Sequence, residues 1–276
     1  MSYYGYFSKY SGNIYGVTGT LGDEADQSYL RDVYGVELLK LPTFIEKDLI
    51  EYESIIVGVE KEWREEIVET VKREVAGRRA VIIVIEKIQD VENIYRTLKN
   101  QYSHDQVYIY TKGGEEEKSI ISRELRVGDV IVASNLAGRG TDFKLSPEVI
   151  KNGGLHVILG VFPNHVRVEY QAYGRVARQS DPGSSQMILN SDDTNTYLIY
   201  SDCKNDIECL KKARTESEYL SLVEDRLCRL PMLELRDDMF SLFTEELRGV
   251  DSPTRYPIII GEPNGNNGIF IYLVLG

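Results

Sequence analysis

No Gly-Lys pair occurs anywhere in the 276 residues of this chain. That excludes a phosphate-binding loop of the form GxxxxGK[ST], in which backbone amides and a lysine cradle a triphosphate. Histidine and cysteine are scarce, at three each. His104, His156 and His165 are scattered, and His156 falls inside the apolar run LHVILG, where a satisfied core role is expected. No Ser-His-Asp or Cys-His grouping can be assembled. Cys203, Cys209 and Cys228 are odd in number and lack CxxC spacing, so reduced structural thiols are expected, and no metal site. No apolar run approaches the roughly 20 residues of a membrane helix. The amino terminus, MSYYGYFSKY, lacks the apolar core of a signal peptide. Positive charge is also short: 32 Lys and Arg against 44 Asp and Glu leave a net charge of −12. Broad contact with nucleic-acid phosphates would need a basic face and is disfavoured.

What is present reads as an α/β domain with a smaller appendage. Residues 58–75 place Trp63, Ile67, Val71 and Val75 four apart, the pattern of an amphipathic helix that Gly77 ends. AVIIVI at 80–85 is a continuous apolar strand, and Asp90 is expected to cap a helix carrying Val91, Ile94, Tyr95 and Leu98. QVYIYT at 106–111 is the next strand. GGEEEK at 113–118 reads as a turn into a helix running through Leu125. DVIVAS, LHVILG and SQMILN follow as strands. Strands separated by helices imply crossover connections and a mostly parallel sheet of RecA-like type, with helices flanking it. Residues 206–250, rich in Leu, Glu, Lys and Arg, read as two or three helices broken at Pro231. From Pro257 two apolar strands around GEPNGNNG suggest a hairpin. A chain that ends on an apolar strand is expected to continue, or to dock its tail on a partner.

Two segments carry chemistry. NLAGRGTD at 135–142 follows the DVIVAS strand, where Gly138 and Gly140 permit a tight turn and close backbone approach. Asp142 would then sit at a strand's carboxyl end, the edge where ligands collect in open α/β sheets, and its carboxylate can accept from a ribose. QAYGRVARQSDPGSS at 171–185 fits a helix on which Gln171, Arg175 and Arg178 share one face. Two forked guanidinium groups can grip a phosphate and stay charged while negative charge builds on it. DPGSS then reads as a Pro-Gly turn before the apolar run MIL. Either segment alone also has a plainer reading, because arginines on helices are usually solvated or ion-paired and glycine turns commonly follow strands.

Together, in this order and spacing, residues 130–185 resemble the second nucleotide-binding lobe of the SecA preprotein translocase ATPases, helicase-like motors of superfamily 2. GRGTD is similar to the family's fifth motif, Gly153-Gly154 to the start of its GGL strand, and GRxxRQxDPGSS to its sixth. GVTGT at 16–20 is similar to the segment that closes the family's first lobe, and LLKLPTF at 38–44 to the strand that crosses to the second. The likeness covers roughly residues 16–190. It implies a remnant of the first lobe and crossover over residues 1–45 and a second lobe over 46–195; the residue pattern beyond adds a helical extension with a possible terminal hairpin over 196–276.

By resemblance, Arg175 and Arg178 would be catalytic, and Gly138, Arg139, Gly140, Thr141, Asp142 and Gln171 would bind nucleotide. ATP with magnesium would be the cofactor. A phosphate-loop lobe in cis or trans, a polypeptide substrate and a membrane translocon would be the partners, in the cytoplasm or peripheral at a membrane. Against the family pattern, Tyr173 stands for the first arginine of motif six, Val176 and Ala177 for Ser-Gly, and Ser180 for a glycine. Without either Walker motif, hydrolysis by this chain alone is not expected. The alternative is a non-catalytic regulatory or interaction module; a helicase lobe on nucleic acid is third. The letters DEAD at 23–26 follow TGTLG rather than an apolar strand, so they read as the acidic first turn of a helix.

Overall fold

The computed structural model describes residues 2–10, 13, 15–41, 46–103, 105–111, 123–134, 143–177, 181–192, 203 and 205–248, and the strands at 259–261 and 270–272. They fall into two compact units, one of residues 11–226 and one of residues 1–10 with 227–276.

The larger unit is built on a parallel sheet. Its strands are β1 (Leu49–Glu51), β2 (Ile55–Val57), β3 (Ala80–Ile85), β4 (Val107–Tyr110), β6 (Val130–Ser134), β8 (Leu155–Leu159) and β9 (Gly183–Asn190), in the order β1-β9-β8-β3-β6-β4 with β2 also on β9. Short strands β5 (Glu124–Leu125) and β7 (Lys144–Leu145) pair with each other, also in parallel. The period of two is plain in β3. Ala80, Ile82 and Val84 enter one apolar cluster, and Val81, Ile83 and Ile85 enter another on the opposite face. Both faces must therefore be covered. Helices α3 (Glu60–Ala76) and α4 (Ile88–Lys99) cover the second cluster through Trp63, Ile67, Val71, Val91, Ile94 and Leu98. The Trp63 indole donates to the Ile188 carbonyl at 2.9 Å, locking α3 to β9. On the first face lie α5 (Pro147–Lys151), α6 (Val166–Tyr173) and α7 (Ile207–Glu224), with Val149, Ala172, Tyr173 and Leu210 in the core.

This is the α/β, RecA-like parallel sheet with flanking helices and a helical carboxyl-terminal segment that the pattern implied. The helix read over 58–75 ends at Gly77, and the acidic letters at 23–26 start α2 (Glu24–Tyr34). Asp23 caps α2 in a capping box with Asp26.

Several expectations are corrected. Asp90 lies in the first turn of α4, whose cap is Lys87. Leu125 is strand, not helix, because the turn into β6 is held by the Asp129 carboxylate accepting from the Arg126 amide at 2.8 Å. Of the strand expected over 38–44, residues 38–41 are not strand and 42–44 lie outside the described residues; the first described strand of the sheet is at Leu49. Cys203 and Cys209 form a disulfide, since the first turn of α7 brings their Cα atoms to 5.3 Å; Cys228 is exposed and free.

Pro231 does not break the helical run. A π-helical turn at Asp225–Arg229 leads directly into α8 (Leu230–Arg248), and this widened turn just before Pro231 accommodates its ring and missing amide within the run. In the smaller unit α8 meets α1 (Tyr3–Ser8), with Asp237 accepting from the Ser2 amide and hydroxyl at 2.8 and 2.6 Å. Strands β10 (Ile259–Gly261) and β11 (Phe270–Tyr272) pair antiparallel, as the hairpin reading expected. Among the described residues no helix is long and apolar enough to cross a membrane.

His156, fully buried on β8, bonds the Ser184 hydroxyl on β9 through Nδ1 at 2.7 Å. Burial, then the charges of Arg79 and Arg73, lower its pKa from 6.5 to about 3. It is the core residue that its apolar run implied. The imidazole stays neutral in the fold while the unfolded chain takes up a proton below 6.5, so stability is full above that value and falls as pH drops toward 3. By pH 4 the loss is roughly 3 kcal/mol. Urea titrations at neutral pH and pH 4 should show this loss in wild type and a smaller one in His156→Gln; equal losses would contradict it.

Candidate functional site

The arginine-bearing segment begins where β8 ends. After Leu159 the chain passes Phe162 and Pro163 and enters α6, capped by His165, whose Nδ1 accepts from the Arg167 amide at 3.1 Å. Two neighbours hold this short helix. On one side lies the loop 16–20: the Arg167 guanidinium donates to the Thr20 carbonyl at 3.1 Å, and the Gln171 amide donates to the Thr20 hydroxyl at 3.2 Å. On the other side lies α7. Arg214 meets Glu169 at 2.7 Å, donates to the Pro163 carbonyl at 3.3 Å and stacks over Phe162 at 5.0 Å. Glu218 accepts from the Val166 amide at 2.8 Å, satisfying an exposed donor of the helix start. Arg214, Glu169 and Glu218 are all buried, so α6 is joined to α7 by ion pairs shielded from water.

Of the predicted site residues, Gln171 lies on α6 facing Thr20. Arg175 does not share its helical face. The helix stops at Tyr173 with Gly174 as its cap, and Ala177 takes a left-handed φ of 54°. Arg175 therefore sits in the turn beyond the helix, 7% exposed. Gly138, Arg139, Gly140, Thr141, Asp142 and Arg178 lie outside the described residues. Their described flanks are Ser134, which closes β6, and Phe143, which leads into β7.

DPGSS is less a turn than expected, because β9 already starts at Gly183. Its glycine is required sterically. A Cβ on Gly183 would stand 2.8 Å from the Val176 Cβ and 2.9 Å from the Ala177 amide nitrogen, so the arginine turn presses directly on the start of β9. Gly154 does the same from the next strand. Its φ is +72°, and a Cβ there would lie 1.7 Å from the Pro182 carbonyl oxygen. The GG and DPG elements are thus halves of one contact. Gly154→Ala should cost at least about 2 kcal/mol. Gly153→Ala shares the backbone strain, with a φ of +94°, but meets only the Arg79 side chain at 3.6 Å and should cost less in the same denaturation experiment.

Sequence reasoning missed the α7 side of this site. Arg214 and Glu218 are four apart on an otherwise charged helix, a spacing that ordinarily marks a solvated face. Thr20 was legible only within GVTGT. A groove of about 650 Å³ beside Arg64, Lys87, Asp90, Asn93, Asn190 and Asp192 contains none of the predicted residues.

Comparison with known proteins places this geometry. The model of the SecA P-loop domain matches residues 49–149. The chain is 33% identical over 205 residues to protein translocase subunit SecA of Nitratiruptor sp., covering 73% of this chain and 23% of that protein. It is 32% identical over 205 residues to the SecA subunit of Thermotoga maritima, with the same coverage. Protein translocase subunit SecA 2 of Nitrosospira multiformis is 29% identical over 233 residues, 83% of this chain and 33% of that protein. The chain thus spans between 23% and 33% of the length of these curated relatives. On this evidence, carried by sequence along most of its length, the chain belongs to the SecA family.

Proposed function

We propose that this chain acts as the second nucleotide-binding lobe of a SecA-type ATPase, residues 46–195, completing an ATP site whose phosphate loop belongs to another lobe in cis or trans. Arg175 and Arg178 face the transferring phosphoryl group and spread its negative charge. Asp142 meets the ribose, and the backbone of Gly138, Arg139, Gly140 and Thr141 packs against the nucleotide. Magnesium would arrive with ATP and be held by the other lobe, since none of the residues carried over from the family is a magnesium ligand. The work done is movement of polypeptide at a translocon, from the cytoplasmic side of the membrane.

The observation that carries this reading is the double anchoring of α6. Gln171 and Arg167 hold the loop at Thr20, while Glu169 and the Val166 amide hold α7. A turn so fixed holds Arg175 at a constant place, which catalysis by positioning needs. The same contacts give lobe closure a route into α7. A non-catalytic module is the second reading, favoured by the missing phosphate loop and by Tyr173, Val176 and Ala177 in motif six. Binding of a fluorescent ATP analogue to a SecA first lobe separates the two. Adding this chain should tighten binding, and Asp142→Ala should abolish that gain. Affinity unchanged by the chain would leave the non-catalytic reading.

A further inference from the structure

We propose that Asp26, His165 and Glu218 form a binding site for one divalent transition-metal ion of the zinc class. The three residues come from separate elements of the larger unit: the first turn of α2, the cap of α6, and the last third of α7. One donor atom from each lies within 4.8 Å of the others. Asp26 Oδ2 accepts from the Asp23 amide at 3.2 Å, and Oδ1 stands 3.4 Å from His165 Nε2. Two ligands at about 2.0–2.1 Å on a tetrahedral ion are separated by about 3.4 Å, so this pair already has the spacing of a coordination edge. Glu218 Oε1 lies 3.8 Å from His165 Nδ1. Glu218 Oε2 is buried and has no hydrogen-bond partner, although the residue is only 8% exposed.

Charge points the same way. Asp26, Glu169 and Glu218 are each more than nine-tenths buried, and the single buried guanidinium among them is Arg214. Lys211 reaches Glu169 at 3.8 Å, and Asp23 beside Asp26 adds further negative charge. Buried carboxylates short of positive charge are costly. A dication makes up the deficit. Nitrogen and carboxylate donors with partial solvent access suit zinc and its neighbours, with water in the fourth position; His165, half-exposed, provides the path. Bound there, the ion ties α2, which follows Thr20, and α7 to the start of the helix that carries Gln171.

An ordinary helix-cap role is the alternative, with His165 Nδ1 accepting from the Arg167 amide and Nε2 directed at Asp26. The test separates the two. The full chain carrying Cys228→Ser, under non-reducing conditions and freed of metal by chelator, is titrated with Co²⁺ and then Zn²⁺. The expected result is a saturable one-to-one visible spectrum of four-coordinate cobalt, bleached by zinc, with a higher melting temperature when zinc is bound. His165→Gln should weaken binding at least about 100-fold, beyond the loss that outer-shell changes cause. All three residues also serve helix starts, so Asp26→Asn, which keeps an oxygen to accept from the Asp23 amide, is the second variant, and metal-free melting curves check that both fold. No saturable spectrum, or one unchanged in both variants, overturns the site. So does a melting temperature that zinc leaves unchanged, which assigns His165 to helix capping alone.

Discussion

Arg178→Ala is expected to lower ATP turnover by this chain, combined with a phosphate-loop lobe, by roughly 10³–10⁵-fold. In phosphoryl transfer the protein does little covalent chemistry; it positions groups and stabilises charge on the phosphoryl oxygens. A guanidinium brings forked donors and a charge that no accessible pH removes. Its loss is felt in the transition state, so kcat should fall with little change in KM. Arg178→Lys should recover part of the rate, keeping the charge and losing the fork. Arg175 gives a less clean experiment. It is 7% exposed in the turn that Val176 and Ala177 press against β9, so Arg175→Ala should cost stability as well as rate. Single-turnover measurements at saturating ATP read the chemical step directly. A rate within a few-fold of wild type for Arg178→Ala would remove it from the reaction.

Arg214→Leu should destabilise the larger unit by about 3–5 kcal/mol, the usual penalty for leaving a buried charge without its partner. Arg214 and Glu169 have side chains 3% and 5% exposed and meet at 2.7 Å. Glu218 shares the same guanidinium at 3.8 Å, and the Pro163 carbonyl and Phe162 ring complete its surroundings. Removing the arginine strands two carboxylates at once. Removing charge on both sides is different. Glu169→Leu combined with Arg214→Leu should recover much of the loss, because an apolar pair avoids the desolvation that the ion pair only offsets. Urea midpoints at constant slope measure both. A loss under about 1 kcal/mol for the single variant would mean that water reaches the pair.

The sheet was legible because its signal is local. β3, β6 and β8 are short unbroken apolar runs, and a strand buried on both faces can be written no other way. The helix α3 was equally clear from Trp63, Ile67 and Val71. What failed were features set by partners distant in sequence. Gly174 beside Arg175 is a local stop signal, but the packing of Val176 and Ala177 on Gly183, which fixes the turn beyond Tyr173, is distant in sequence. The Cys203–Cys209 bond depends on where α7 begins. Arg214 and Glu218 look like ordinary surface charges until α7 is laid against α6. The motif residues were read from family resemblance, and the contacts that hold Gln171 and the arginine turn came only from the fold.

The central claim is that this chain completes a nucleotide site without building its floor. Steady-state ATP turnover, measured for the chain alone, for a SecA first lobe alone and for their mixture, tests it most directly. Turnover near background is expected for each part, with a large gain on mixing that Arg178→Ala abolishes. Turnover by the chain alone, or a mixture no faster than the sum of its parts, would contradict it.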